Sequence, residues 1–130
     1  MHKRTIWYGR NDDDVFPIED LVAYVKEHGH TFLVEDETVR VVARTTIDDV
    51  FISTVFLGID HQFDDGPPLL FETMIFANAH PALDQQQWRW HTLREARDGH
   101  AFVVNYVREH IDTTHEQIEI VSIEIEEQQQ

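Results

Sequence analysis

The stretch QWRWHTLREARDGH, residues 87 to 100, decides the fold because the spacing of its apolar residues changes partway along it. As far as His91, aromatic and polar residues alternate, which is typical of a strand with one covered face. Thr92 is followed three residues later by Glu95, and this pair forms the capping box of a helix start. We therefore predict a strand that passes into a helix at Thr92.

The predicted helix buries one face, because its apolar residues recur at helical spacing. Gly99 lies in the helix interior, where a glycine costs roughly 1 kcal/mol, so we expect a strand or a second protomer to approach closely there. His100 shares the buried face and is expected to hydrogen-bond a backbone carbonyl or a buried side chain; contact with a ligand is the alternative. The face consists of Leu93, Ala96, His100, Val103, Val107 and Ile111.

The rest of the chain is predicted to add one helix and further strands. Residues 17–29 fit a helix with Pro17 in its first position, Gly29 as its cap and one buried apolar stripe. The predicted fold is α+β: a single domain over residues 1–130, with a single antiparallel sheet of about seven strands and two helices packed on it, one per face. The predicted strands are 3–8, two within 31–46, 49–60, 68–77, 87–91 and 116–127.

Composition narrows the classes of partner. A formal net charge of −15 in 130 residues repels nucleic-acid backbones and anionic membranes. The chain has no apolar run of transmembrane length, and its N-terminus lacks the apolar core of a signal peptide. The absence of cysteine excludes disulfides and thiolate chemistry. We predict a cytosolic protein with no nucleic-acid or membrane partner.

The sequence predicts neither catalysis nor a metal site. The chain has nine histidines, but the closest pair, His28 and His30, has no carboxylate at ligand spacing, so surface histidines are the interpretation. No phosphate-binding loop or nucleophile motif occurs. Glu72 lies among apolar residues and is expected to pair with an arginine; a role as general acid or base would need a second titrating group. We therefore predict a protein that is not an enzyme and has no cofactor.

Arginines and aromatic residues favour a binding site for a small anion. Arg44, Arg89 and Arg94 fall on a predicted strand, the strand before the second helix and the first turn of that helix. If carboxylates neutralise all three arginines, the arginines have a structural role only. The alternative is a local basic pocket that holds phosphates through bidentate guanidinium contacts, with aromatic rings stacking a base. The predicted ligand-binding residues are Phe76, Trp90, Arg89, Arg94, Arg44 and His100.

Three runs in the middle of the chain resemble a family of small proteins encoded by actinobacterial phages and prophages. They are TVFLGIDH at 54–61, GPPLLFETMIF at 66–76 and EARDGH at 95–100, and the likeness covers roughly residues 51–104. This resemblance implies a phage gene product that is expressed in the host cytoplasm.

The pattern FETMIF followed by EARDGH is also similar to the first Thoeris anti-defence family. Its members are homo-oligomeric, non-enzymatic sponges for messengers of the cyclic ADP-ribose type and for related cyclic nucleotides. The similarity implies sequestration of such a nucleotide, with Phe76 stacking the base and arginines holding the phosphates. The alternative function is an acidic protein-binding module or nucleic-acid mimic that acts on a host protein. A virion component and a hydrolase of the messenger are further alternatives.

Overall fold

The chain folds as an α+β protein. The computed structural model describes residues 6–11, 14–28, 37–62 and 66–119. The elements formed within these ranges are β1 (Tyr8–Arg10), β2 (Val15–Pro17), α1 (Leu21–His28), α2 (Glu37–Arg40), β3 (Val41–Ile47), β4 (Val50–Phe56), β5 (Phe71–Phe76), β6 (Gln87–Trp90) and α3 (Leu93–Glu119).

The main sheet has four antiparallel strands in the order β3-β4-β5-β6. Successive side chains of a strand point to opposite faces, and α3 packs across all four strands on one of these faces. The inward side chains of β4 and β5 are therefore fully or almost fully buried. The core under α3 includes Val50, Ile52, Phe56, Phe71, Ile75, Leu93, Ala96, Val103 and Val107.

The prediction of a single seven-stranded sheet is wrong, because β1 and β2 pair with each other as a separate two-stranded sheet. Gly9 permits this tight pairing, since a Cβ there would lie 2.5 Å from the Phe16 ring. The hairpin is tied to the segment after β4 by the hydrogen bond from Tyr8 N to Gly58 O, at 2.9 Å. Its side chains Tyr8 and Val15 close one end of the core.

The prediction of one helix per face is also wrong. Whereas α3 covers one face of the sheet, α1 contacts the hairpin, where its Tyr24 ring lies 6.2 Å from Phe16 between centroids. The helix begins at Leu21 rather than at Pro17, because the Asp20 carboxylate accepts a hydrogen bond from Ala23 N at 3.0 Å and caps it. No α1 residue is fully buried, so the predicted apolar stripe does not form; Gly29 lies outside the described residues.

Two predicted strands are helical where the structure describes them. Residues 37–40, assigned to a strand pair, form α2 ahead of β3, and 31–36 lie outside the described residues. Residues 116–119, predicted to begin the last strand, are the end of α3, and 120–127 are not among the described residues. Each residue added to a growing helix gains a hydrogen bond. No glycine or proline between 101 and 119 stops α3 before that point.

The predicted start of the second helix is confirmed. Glu95 N donates to Thr92 Oγ1 at 3.0 Å, and His91 N donates to Glu95 Oε1 at 2.9 Å, so both halves of the capping box are present. The box fixes the angle at which α3 leaves β6. It thereby holds one side of α3 beside the outer edge of that strand.

Candidate functional site

An open cleft of about 700 Å³ lies between β6 and the N-terminal part of α3. Within the described ranges β6 pairs with β5 alone, so the cleft runs along a sheet edge. Its volume falls in the range of about 300–1,000 Å³ that is usual for small-molecule sites. The cleft is lined by Trp88, Arg89, Trp90, His91, Glu95, Asp98, Gly99 and Phe102.

Trp90 lies directly on the backbone of α3. A Cβ built on Gly99 would be 2.3 Å from Cζ2 of the Trp90 indole, a distance that real atoms do not tolerate. The expectation of a close approach at Gly99 is therefore confirmed, and the approaching group is a side chain of the preceding strand. Because residue 99 has no side chain, the Trp90 indole can pack against α3 and line the cleft.

A buried chain of hydrogen bonds leads from Trp90 into the core. The indole Nε1 donates to Thr73 Oγ1 at 2.9 Å, and Thr73 Oγ1 lies 2.6 Å from Thr54 Oγ1. His100 continues the chain, with Nδ1 at 2.7 Å from Thr54 Oγ1 and Nε2 at 2.8 Å from Thr45 Oγ1. The prediction that His100 hydrogen-bonds a buried side chain is thus confirmed.

The direction of this hydrogen-bond chain follows from two conditions: the indole N–H only donates, and the buried Thr73 hydroxyl must itself donate to an acceptor, for which Thr54 is the neighbour in reach. The Thr73 hydroxyl accepts from it and donates to Thr54, and the Thr54 hydroxyl donates in turn to His100 Nδ1. His100 then carries its proton on Nε2 and donates to Thr45, which requires a neutral ring. Burial, which disfavours the charged form, lowers the pKa of His100 from its ordinary value and agrees with this arrangement.

Phe76 and Arg44, both predicted ligand residues, lie on the sheet face opposite α3. Phe76 is 45% exposed there, and its ring centroid lies 5.9 Å from that of Phe51 on the neighbouring strand. Arg44 is on the same face and donates from Nη2 to Glu37 Oε1 at 2.9 Å. This hydrogen bond lowers the pKa of the Glu37 carboxyl. Neither Phe76 nor Arg44 lines the cleft beside β6.

Arg89 and Arg94 are nearer to the cleft. Arg89 borders the cleft, but its side chain points to the sheet face opposite α3, as its register with Glu72 requires. There its Nε donates to Glu72 Oε2 at 3.1 Å, so the expected pairing of Glu72 with an arginine is confirmed. Arg94 is exposed in the first turn of α3, and its guanidinium forms no ion pair or hydrogen bond with the part of the chain that the structure describes.

The six predicted residues therefore do not converge on one pocket. Trp90 lines the cleft, Arg94 is on the helix next to it, and His100 is buried beneath it. The side chains of Phe76, Arg44 and Arg89 belong to the other face of the sheet. Their roles in ligand binding stay predictions, and the cleft is the place where the structure joins aromatic and charged side chains.

Sequence reasoning missed the helix side of the cleft. Glu95, Asp98 and Phe102 follow His91 at helical spacing and form one stripe on α3. The available signal was Phe102, a large aromatic residue that interrupts a polar stripe and is 56% exposed.

No group of three or more His, Asp or Glu side chains in the described ranges is arranged to hold a metal ion. None of the helices in those ranges combines the length and apolar character needed to cross a bilayer. The fold and the cleft thus define an α+β protein with a helix-backed antiparallel sheet and an open site at the sheet edge. Comparison with protein-family models, curated proteins and solved structures finds no match to the chain.

Proposed function

We propose that this protein binds and sequesters a small cyclic nucleotide without catalysis, in the cleft between β6 and α3. The proposed ligand belongs to the class of immune messengers that includes cyclic ADP-ribose. The single observation that carries the proposal is the composition of the cleft, where aromatic side chains stand beside the carboxylates of Glu95 and Asp98, with the guanidinium of Arg94 on the adjoining first turn of α3. Aromatic rings stack a base, and the charged groups meet phosphates and sugar hydroxyls.

Each part of the proposed ligand has a counterpart in or near the cleft. Trp88 and Phe102 offer ring surface for a base. The guanidinium of Arg94, exposed in the first turn of α3, offers donors to phosphate oxygens. The carboxylates of Glu95 and Asp98 accept hydrogen bonds from sugar hydroxyls or base N–H groups.

The acidic surface is compatible with a ligand that has only a few phosphates. Repulsion between exposed charges is largely screened beyond about 8 Å at physiological ionic strength. The net charge of −15 therefore acts weakly on a small ligand that is held by local donors. A long nucleic acid would meet the whole acidic surface and be repelled. The phage origin, the host-cytoplasm location and the homo-oligomeric state implied by the resemblance stay predictions.

Calorimetry tests the proposed function. We expect heat of binding with at least one member of a panel of cyclic ADP-ribose isomers, cyclic dinucleotides and cyclic trinucleotides. Trp88→Ala should weaken that binding about tenfold or more, because stacking on an aromatic ring contributes about 1–3 kcal/mol per base. Phe76→Ala is the matched control, since it removes an exposed aromatic ring from the opposite face of the sheet. The ligand should be recovered chemically intact after incubation.

The possible outcomes separate the alternatives. No heat with any ligand at micromolar protein contradicts the proposed function. Loss of binding with Phe76→Ala but not with Trp88→Ala would place the site on the opposite face of the sheet. The resemblance to the anti-defence family, in which Phe76 is implied to stack the base, suggests that face. Conversion of the ligand to a new product would show a hydrolase instead of a sponge.

A further inference from the structure

We infer that the outer edge of β6, the side of its backbone that faces away from β5, docks a basic segment of a partner protein as a further strand of the sheet. Strand addition supplies affinity through main-chain hydrogen bonds and specificity through pockets for alternate side chains. This inference goes beyond the proposed function, because its ligand is a polypeptide held by a sheet edge. The inward side chains of the segment would fill the cleft, so the segment and the nucleotide would exclude each other.

The backbone of β6 presents hydrogen-bonding groups on its outer edge. Just before β6, Gln86 O accepts a hydrogen bond from Ile75 N of β5 at 3.0 Å, so Gln86 faces β5. Alternate residues of an antiparallel strand face opposite sides, so Gln87 and Arg89 face away from β5. The backbone N–H and C=O groups of these two residues have no partner in the part of the chain that the structure describes.

A docked strand would use these groups and reach into the cleft at the same time. If it runs antiparallel to β6, it exchanges both backbone hydrogen bonds with Gln87 and with Arg89. Residues directly opposite each other share a face of the sheet, so its residues opposite Trp88 and Trp90 would point toward α3. The cleft lies beside these tryptophans and below the side of α3, and it is therefore the space that those side chains would enter.

The side chain opposite Trp90 would meet carboxylates. Trp90 contacts Gly99 of α3, and Asp98 directly precedes that glycine. Glu95 lies three residues earlier on the same side of the helix. Asp98 forms no hydrogen bond or ion pair with any described residue, so its charge is open to a partner. A lysine or arginine at this position of the segment would pair with it.

The side chain opposite Trp88 would meet apolar surface instead. The Trp88 ring lies 5.8 Å from that of Tyr106 between centroids. One helical turn before Tyr106, the Phe102 ring is 56% exposed in the cleft, and a leucine would cover it. The intervening residue of the segment would lie opposite Arg89 on the other face, where a second positive charge is unfavourable. The segment that fits an antiparallel strand therefore reads basic, not basic, apolar.

Charge favours a basic partner over a second copy of this chain. A second copy would bring its own net charge of −15 and its own Glu95 and Asp98 to the cleft, and these like charges would repel. A basic segment is attracted by the acidic chain, which raises its rate of association. Because β6 has four residues, a short segment covers the whole edge.

Fluorescence anisotropy of a labelled peptide tests the inference with the full chain. The probe is a short peptide of threonine and valine around the core lysine–threonine–leucine. A methyl group on the backbone nitrogen of the central threonine removes the donor that faces Arg89, and it should weaken binding about tenfold or more. The leucine nitrogen would face away from β6. A methyl group there is the matched control and should change the affinity by less than about twofold.

Gln87→Pro tests the same edge from the side of the protein. Proline is tolerated as the first residue of a strand and where the N–H faces solvent, so the circular dichroism spectrum should be that of the wild type. The variant lacks the edge N–H and should bind the peptide about fivefold or more weakly. Gln87→Ala keeps this N–H and should bind the peptide as the wild type does.

Asp98→Asn tests the basic position of the segment. It should weaken the lysine peptide about threefold, as expected for an exposed ion pair, and leave a norleucine peptide unchanged. Glu109→Gln removes an exposed carboxylate that does not line the cleft and should affect neither peptide. An equal response of the two peptides to Asp98→Asn would contradict a basic partner.

The inference and the proposed function fail separately. Edge docking is overturned by absence of peptide binding, by equal weakening from the two methyl groups, or by undiminished binding to Gln87→Pro. A dimer of the free chain in sedimentation that Gln87→Pro dissociates would assign the edge to a second copy and overturns it as well. Peptide binding without heat from any nucleotide overturns only the proposed function.

Discussion

Gly99→Ala is expected to lower the free energy of unfolding by about 1–3 kcal/mol, the usual cost of forcing an extra group into a packed site. The same exchange in most helix interiors raises stability, because alanine is favoured over glycine by about 1 kcal/mol. Here the new methyl group would lie 2.3 Å from Cζ2 and 2.4 Å from Cε2 of Trp90. The indole must move away, and its hydrogen bond to Thr73 is then lost.

Urea unfolding followed by circular dichroism measures this effect. The double variant Gly99→Ala with Trp90→Phe is the control, because the smaller ring leaves room for the methyl group. Its loss of stability should be smaller than the sum of the two single losses, as expected for residues in contact. A neutral or stabilising Gly99→Ala would show that the indole does not pack on α3 as described.

His100→Leu is expected to lower the free energy of unfolding by about 1–3 kcal/mol, the cost of leaving one buried polar group unsatisfied. Leucine removes the acceptor of the Thr54 hydroxyl, which is fully buried. Among the hydrogen-bonded groups that start at Trp90, the Thr54 hydroxyl has no second acceptor, because the Thr73 hydroxyl already donates to Thr54. Thermal and urea unfolding above pH 7 measure the loss while the ring of the wild-type His100 is neutral.

The pH dependence of stability tests the same chain of hydrogen bonds through His100. Because burial lowers the pKa of His100, the unfolded chain binds a proton more readily than the folded one between the folded value and the ordinary value of 6.5. The stability contributed by the neutral ring is therefore fully present above pH 6.5 and is lost as the pH falls through the folded pKa. Protonation makes Nδ1 a donor toward Thr54, which reverses the hydroxyls and leaves Thr73 with no acceptor.

His100→Leu should remove this part of the pH dependence of unfolding. His28→Gln is the control, because it removes an exposed histidine of α1 and should keep the acid-side loss. An acid-side loss of the same size in His100→Leu and the wild type would contradict the assigned chain of donors and acceptors.

The parts of the fold that depend on local sequence were predictable. The capping box and the apolar spacing after Thr92 are local signals, and they predicted the start of α3 and its buried face. The pairing of β1 with β2 was not predictable in this way. Each strand has only three residues, which is too short to show the alternation of apolar and polar residues that identifies a strand. The Ile–Glu alternation after residue 116 predicted a strand, yet a helix without a breaker continued into it.

The candidate site was predictable only in part, because strand register decides which side chains share a face. Trp90 pairs with the buried Phe71, and Phe76 lies an odd number of residues further along β5, so Trp90 and Phe76 point to opposite faces. The alternation of residues within one strand does not show how that strand is aligned with its neighbour. Trp90 on the strand side of the cleft was therefore identified from sequence, whereas Asp98 on the helix side became visible only when α3 was placed beside β6.

The most direct test of the cleft as a nucleotide site uses the three tryptophans, whose indole N–H groups give separate nuclear magnetic resonance signals. Trp88 and Trp90 line the cleft, whereas Trp7 bridges to Ile59 near the hairpin. On addition of the nucleotide of the panel that gives heat of binding, we expect the Trp88 signal to shift most and the Trp7 signal to stay in place. A shift of Trp7 alone, or no shift of any indole signal at saturating ligand, would contradict binding in this cleft.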